Sequence, residues 1–202
     1  MTEEQPRSSR DRILIAAATM IGEDPAARLS VRAVAARAGV STGSLRFHFP
    51  TQRELHETVL AGIYSMVAPD DGIHEASRPA RDRLVESLRQ VLAPAGVGEQ
   101  ARATWLKVHE GFIAQPPTTE RRDAYLAFDR AGRRQIEAWL AVLTEQGALA
   151  PGDNERRARF LNTVLTGLSI ERVLPAHDAV LSTETATLYA AVDAVLSEPA
   201  ER

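Results

Sequence analysis

Between Arg28 and Arg53 the sequence sets five guanidinium groups (Arg28, Arg32, Arg37, Arg46 and Arg53) among small, hydroxyl and aromatic residues, and this stretch holds no aspartate or glutamate. Guanidinium stays charged at any physiological pH, and its planar fork of donors matches a phosphate or the major-groove edge of guanine. A duplex carries dense negative charge, so a basic segment releases counterions when it docks there. The chain as a whole is acidic, with 24 Lys+Arg against 27 Asp+Glu and a net charge of −3 over 202 residues. Taken alone, that average points away from a polyanionic partner. Split by segment, it becomes +5 over Arg28–Arg53 and −8 over the other 176 residues.

No other segment offers a competing chemistry. The chain has no cysteine, which removes thiolate metal sites, thiol nucleophiles and thiol redox switches. Five histidines (48, 56, 74, 109 and 177) are scattered without ligand spacing, and there is neither a glycine-rich phosphate loop nor a recognisable serine-nucleophile motif. Asp70, Asp71, His74 and Glu75 lack fixed ligand spacing and read as a solvated polar loop. The sequence therefore predicts a non-enzyme with no cofactor and no metal. The opening MTEEQPRSSRDR has no apolar stretch, and no later run is long enough to cross a bilayer, so the expectation is a cytoplasmic protein with no membrane partner.

The elements that must carry the arginines are helical. Alanine fills 33 positions, and no run alternates in the manner of a strand. Breakers and apolar spacing predict about nine helices: 11–22, a short helix after Ser30, 42–47, 51 to about 68, 79–92, 99–114, 119–146, 153–174 and 183–196. Ser30 is a good N-cap, Gly39 stands where a left-handed residue ends a helix, and Thr51-Gln-Arg-Glu54 is a capping-box pattern. Two short helices joined by a glycine turn, with Ala35, Gly39, Val40 and Leu45 where close packing needs small or apolar residues, make a helix-turn-helix. By pattern alone, an ordinary helix pair with a solvated arginine face fits as well.

The run from Leu29 to Leu55 closely resembles the DNA-binding signature of the TetR (tetracycline repressor-like) family of bacterial regulators. The likeness spans roughly residues 10–66 and is most specific at Val34-Ala35, Gly39-Val40-Ser41, Gly43 and Phe49-Pro50-Thr51. Two positions depart from the usual pattern: Arg46 stands where the family most often has Tyr, and Gln52 where it usually has a Lys that contacts phosphate. The resemblance implies an all-α protein, with a three-helix DNA-binding module over 10–66 and a helical effector-binding and dimerisation domain over 67–202. On this reading Thr42, Ser44, Arg46 and Phe47 lie nearest the base edges. Arg32, His48 and Thr51 serve phosphates, and Gly43 lets the backbone approach closely. Packing of Phe47 on the first helix fits the sequence equally well.

The remainder resembles the family mainly in helix count. Trp105, His109 and Phe112 share one face, and Tyr125 and Phe128 are neighbours at i, i+3; an aromatic pocket for a small lipophilic effector and a plain aromatic core are both open. Leu161, Leu165 and Leu168, with Leu188, Val192 and Val195, belong to an apolar helix pair wide enough to suggest a homodimer face, although packing on the preceding helices would also use them. The resulting expectation is a regulator, a repressor by its resemblance, that dimerises on a palindromic double-stranded DNA operator and is released by a small-molecule effector. An accessory or architectural DNA binder without an effector is the alternative.

Overall fold

The computed structural model describes residues 8–26, 28–67, 72–174 and 180–199; Asp70, Asp71 and His177, which the sequence reading singles out, lie outside them. Among the described residues all regular structure is helical: α1 (Ser9–Glu23), α2 (Val31–Ala38), α3 (Thr42–His48), α4 (Gln52–Val67), α5 (Ala80–Leu92), α6 (Glu99–Phe112), α7 (Thr119–Glu145), α8 (Asn154–Glu171) and α9 (Val180–Leu196). Among the described residues the all-α reading with about nine helices holds. One short 3₁₀ turn, Ala93–Ala95, follows α5 and was not anticipated; Pro94 fits its first turn, where a missing N–H costs nothing. No described helix is long and apolar enough to cross a membrane.

The chain divides into two compact units. One takes residues up to Ile63 together with Lys107–Phe128; the other takes Tyr64–Leu106 and everything from Asp129 onward. In the first, α1 packs on α2 and α3, and α2 on α3. Its interior is small and aliphatic: Ile13, Ala16, Ala17 and Ile21 from α1, Val34 and Ala35 from α2, Leu45 from α3, and Leu55, Val59 and Leu60 from α4 are buried.

In the second unit α5 packs on α8 and α9, and α8 on α9. Leu84, Leu88, Trp139, Leu140 and Leu149 fill its core alongside Leu161, Leu165, Leu168, Leu188, Val192 and Val195. These last six are at most 4% exposed, so the dimer face expected of them is corrected: they are spent on the chain's own interior. The apolar stripe is wide because it packs on α5 and on the other helices of the core at once. The outward faces of the same helices carry Phe160 and Ile170, about half exposed at 45% and 49%, with Gly167, Ala186, Ala190 and Ala194 around them.

Three buried arginines hold the connections of this unit. Helix ends leave carbonyls without intrahelical partners, and a guanidinium offers enough donors to satisfy several at once. Arg172 donates to Leu92 O and Gly96 O, the latter at 3.3 Å, while pairing both oxygens of the buried Glu184. Its own carbonyl accepts from Gly98 N at 2.8 Å. Arg157 donates to Ala150 O at 2.9 Å, to Asn154 Oδ1 at 3.0 Å and to Glu198 Oε2 at 3.0 Å. Arg83 donates to Ile73 O and, at 2.8 Å, to Gln146 Oε1. The sequence reading extends helix 8 to 174; α8 stops at Glu171, where Arg172 turns to these partners.

Candidate nucleic-acid interface

The geometry of the basic module starts from its caps. Ser30 Oγ accepts from Ala33 N at 3.2 Å, Ser41 Oγ from Ser44 N at 3.0 Å and Thr51 Oγ1 from Glu54 N at 3.1 Å, so α2, α3 and α4 each begin on a hydroxyl that satisfies an otherwise orphaned N–H. Between α2 and α3, Gly39 adopts φ 63° and ψ 38°, a left-handed backbone that a side chain would strain. Gly39 N donates to Ala36 O at 3.2 Å and Val40 N to Ala35 O at 3.0 Å, closing α2 before the chain turns into α3. Arg12 Nη1 reaches Gly39 O at 3.4 Å from α1.

Leu45 is the anchor of α3, 1% exposed, and the buried Phe49 follows it, with Arg10 5.6 Å above the ring. At 100° per residue, Gly43 and Phe47 fall opposite Leu45, with Arg46 and Ser44 on their flanks. The exposures follow the wheel. Thr42, Gly43, Arg46 and Phe47 are exposed, and Ser44 and His48 are half-buried. Phe47 is 82% exposed, which removes the alternative that it packs on the first helix; its ring meets that of His48 edge-on, at 5.2 Å between centroids. Arg32 is exposed in the first turn of α2, and Thr51 is spent as the cap of α4 with its side chain at the surface.

One of the five arginines is committed elsewhere. Arg37 forms a two-pronged ion pair with Glu23 at the end of α1. Hydrogen bonding to that guanidinium holds the Glu23 carboxyl below the usual carboxylate range and raises Arg37 in turn. The positive field of the module therefore rests on Arg28, Arg32, Arg46 and Arg53, all exposed.

Of the residues expected to line an effector pocket, the structure brings Phe112 and Tyr125 together, edge to face at 5.7 Å. Tyr125 and Phe128 are 49% and 40% exposed, His109 is exposed, and the half-buried Trp105 belongs to the second unit. A separate cleft of about 390 Å³ in the first unit is lined by Glu23, Asp24, Pro25, Ala26, Lys107, Glu110, Gly111, Gln115 and Arg121. It is charged and contains none of the five expected residues. Lys107, which donates to Gly22 O at 3.4 Å, escaped the sequence reading although it is the chain's one lysine. Among the described residues no group of three or more His, Asp or Glu is placed to hold a metal ion.

A short second helix fixed by a glycine turn, with its outer face clear of the fold and arginines beside it, is a helix-turn-helix built to enter the major groove. Residues 13–59 match the family model of bacterial regulatory proteins, tetR family. No curated protein matches the chain. Among solved structures it is similar to a tetR-family regulator from Rhodococcus sp., 26% identical with a TM-score of 0.54, over 94% of this chain and 98% of that one. It also resembles SmeT in its triclosan complex (20% identity, TM-score 0.52, 97% and 100% covered) and NalD of Pseudomonas aeruginosa (19%, 0.51, 95% and 98%). Residues 13–59 thus match the DNA-binding module of bacterial tetR-family regulators, and the whole chain is similar in fold to solved proteins of that family.

Proposed function

We propose that this protein is a repressor that binds a palindromic operator as a homodimer and leaves it when a small lipophilic or aromatic molecule binds. The observation that carries the DNA half is the outer face of α3, where Arg46 and Phe47 project from a helix whose opposite side is locked by Leu45. Thr42, Gly43 and Ser44 share that helix, while Arg32, His48 and Thr51 supply phosphate contacts that position it without reading sequence.

The homodimer rests on the outward side of α8 and α9. Phe160, Gly167 and Ile170 with Ala186 and Ala190 offer an apolar, low-relief face on which a second copy can pack closely. Twofold symmetry then matches two half-sites of one operator. For the effector, the supports are the Phe112–Tyr125 pair and two proteins of the same fold: SmeT, seen with triclosan, and NalD, the secondary repressor of the MexAB-OprM multidrug efflux pump. A ligand releases the protein only if it favours a conformation whose recognition helices no longer match adjacent major grooves.

The test is a thermal-denaturation screen against lipophilic aromatic compounds, followed by operator binding with and without each hit. An effector held at a hundred times its Kd stabilises the fold by about 2.7 kcal/mol, and the same compound must weaken DNA binding. If no compound that raises the melting temperature alters DNA affinity, the accessory DNA binder without an effector replaces this reading. Phe160→Glu should yield monomers in sedimentation or light scattering at micromolar concentration; an unchanged mass would remove the α8–α9 face.

A further inference from the structure

We propose that α7 and α8 build a binding site for a small organic acid, whose carboxylate accepts from Nε–H of Arg133. Its residues all lie in the second unit, whereas Phe112 and Tyr125 belong to the first. The site starts from a donor that the fold leaves unanswered: Arg133 Nε is sealed from solvent and meets no acceptor among the described residues. A buried N–H without a partner costs the fold the desolvation of that group, so its presence calls for a reason. The rest of the side chain is firmly held. Nη2 pairs with Asp129 Oδ2 at 2.9 Å, one turn back on α7, and Asp129 Oδ1 accepts from Asn162 Nδ2 of α8 at 3.0 Å. The amide orients the carboxylate and the carboxylate orients the guanidinium, so two helices fix the direction of the unused N–H. The paired side chains are 19% and 27% exposed, which places them at the rim of the interior, where a small molecule can reach them.

The chemistry of the guest follows from what surrounds that donor. A charged donor gains more from an anionic oxygen than from a neutral one. From Asp129 to Glu137, α7 carries three arginines against two carboxylates, a surplus that one anion cancels. Arg130, three residues before Arg133 and on the same face, is half-buried and adds its charge there. The adjoining positions are aliphatic: Ile136, one turn on, and Leu161, next to Asn162, are each 1% exposed. A carboxylate on an apolar body suits such a place. A fully hydrated inorganic anion would shed water that a single donor does not replace.

The experiment titrates the full-length protein with benzoate and with octanoate, each beside its primary amide, and with sodium sulfate, all at one ionic strength. Calorimetry gives the affinities, and proton–nitrogen spectra follow the Arg133 Nε–H signal, assigned by its loss in Arg133→Gln. At least one acid should bind roughly tenfold more tightly than its amide, the worth of a hydrogen bond to a charged group, and should move the Nε–H proton downfield. Arg133→Gln should bring acid and amide to equal affinity. Arg133→Lys, which keeps a cation beside Asp129 and so guards against loss of the fold, should retain only a weak preference that salt removes. Acids and amides that bind alike, no binding by either acid, or sulfate that matches the acids would overturn the proposal. So would a full acid preference that survives in Arg133→Gln. If the acids leave the Nε–H signal unmoved while Arg133→Gln lowers the mass seen in light scattering, the donor serves a second subunit and the ligand site falls. None of these outcomes bears on the reading of a lipophilic effector, which is judged by operator binding.

Discussion

Arg37 on α2 grips both carboxylate oxygens of Glu23 at the end of α1, with Nη1 2.6 Å from Oε2. The pair ties together two helices whose crossing sets the position of α3. It also subtracts one arginine from the field that DNA would meet.

The Glu23 carboxyl should titrate below 4.5, its ordinary value, because hydrogen bonds from Arg37 favour the charged form. A depressed carboxylate contributes its stability above the unfolded value and loses it as pH falls through the folded one. Carboxyl-detected NMR across pH 2–6 reads this directly, and Arg37→Gln should return the midpoint toward 4.5. Because the pair lies in water, its effect on global stability should be small.

Arg32 and Arg46 should fail differently. Arg32→Ala, at a proposed phosphate contact, should lower affinity for all sequences alike and reduce the slope of log K against log salt by about 0.9. Arg46→Ala, at a proposed base contact, should cost about 1–3 kcal/mol of discrimination at one operator position. Anisotropy titrations at several salt concentrations on matched and mismatched duplexes separate the two. If Arg46→Ala bound its operator as well as the parent, its assigned role would be lost.

Gly39→Ala forces a side chain into φ 63°, a conformation that costs an L-residue roughly 1–2 kcal/mol. Urea denaturation should show a loss of that size. Operator affinity should fall as well, because the turn aims α3.

Leu165→Ala should destabilise the fold by about 2–5 kcal/mol, as a core truncation does, and leave the subunit mass unchanged. Glu184→Ala should be as severe, about 3–5 kcal/mol, since it strands the buried Arg172 without its carboxylate. Guanidinium or urea titrations monitored by the tryptophans give both values.

The DNA-binding module was legible in the sequence because its determinants are local. Ser30, Gly39, Ser41 and Thr51 act within a few residues of themselves, so their types and spacing report the caps and the turn directly. Long-range partners were not legible. Arg37 is fourteen residues from Glu23, and nothing in the segment Arg28–Arg53 shows that one of its charges is engaged. The six residues offered for a dimer face failed for a related reason: the 3.6-residue period marks which sides of α8 and α9 are apolar, but cannot say whether a neighbouring helix or a second subunit covers them. Leu161 and Val192 went to the interior, and the outward side is the plainer one of Gly167, Ala186 and Ala190. The division at residue 66 likewise followed the motif's end, whereas chain packing enlists Lys107–Phe128 alongside the N-terminal helices.

Lys107 gives the molecule a built-in attachment point. As the single lysine beside 23 arginines, it is the one side-chain amine an acylating dye can find, and it sits where α6 meets the last carbonyls of α1. A fluorophore there would occupy the rim of the charged cleft. With a fluorophore on that side chain and no engineered cysteine, the native protein can be watched while DNA and candidate small molecules are added in turn.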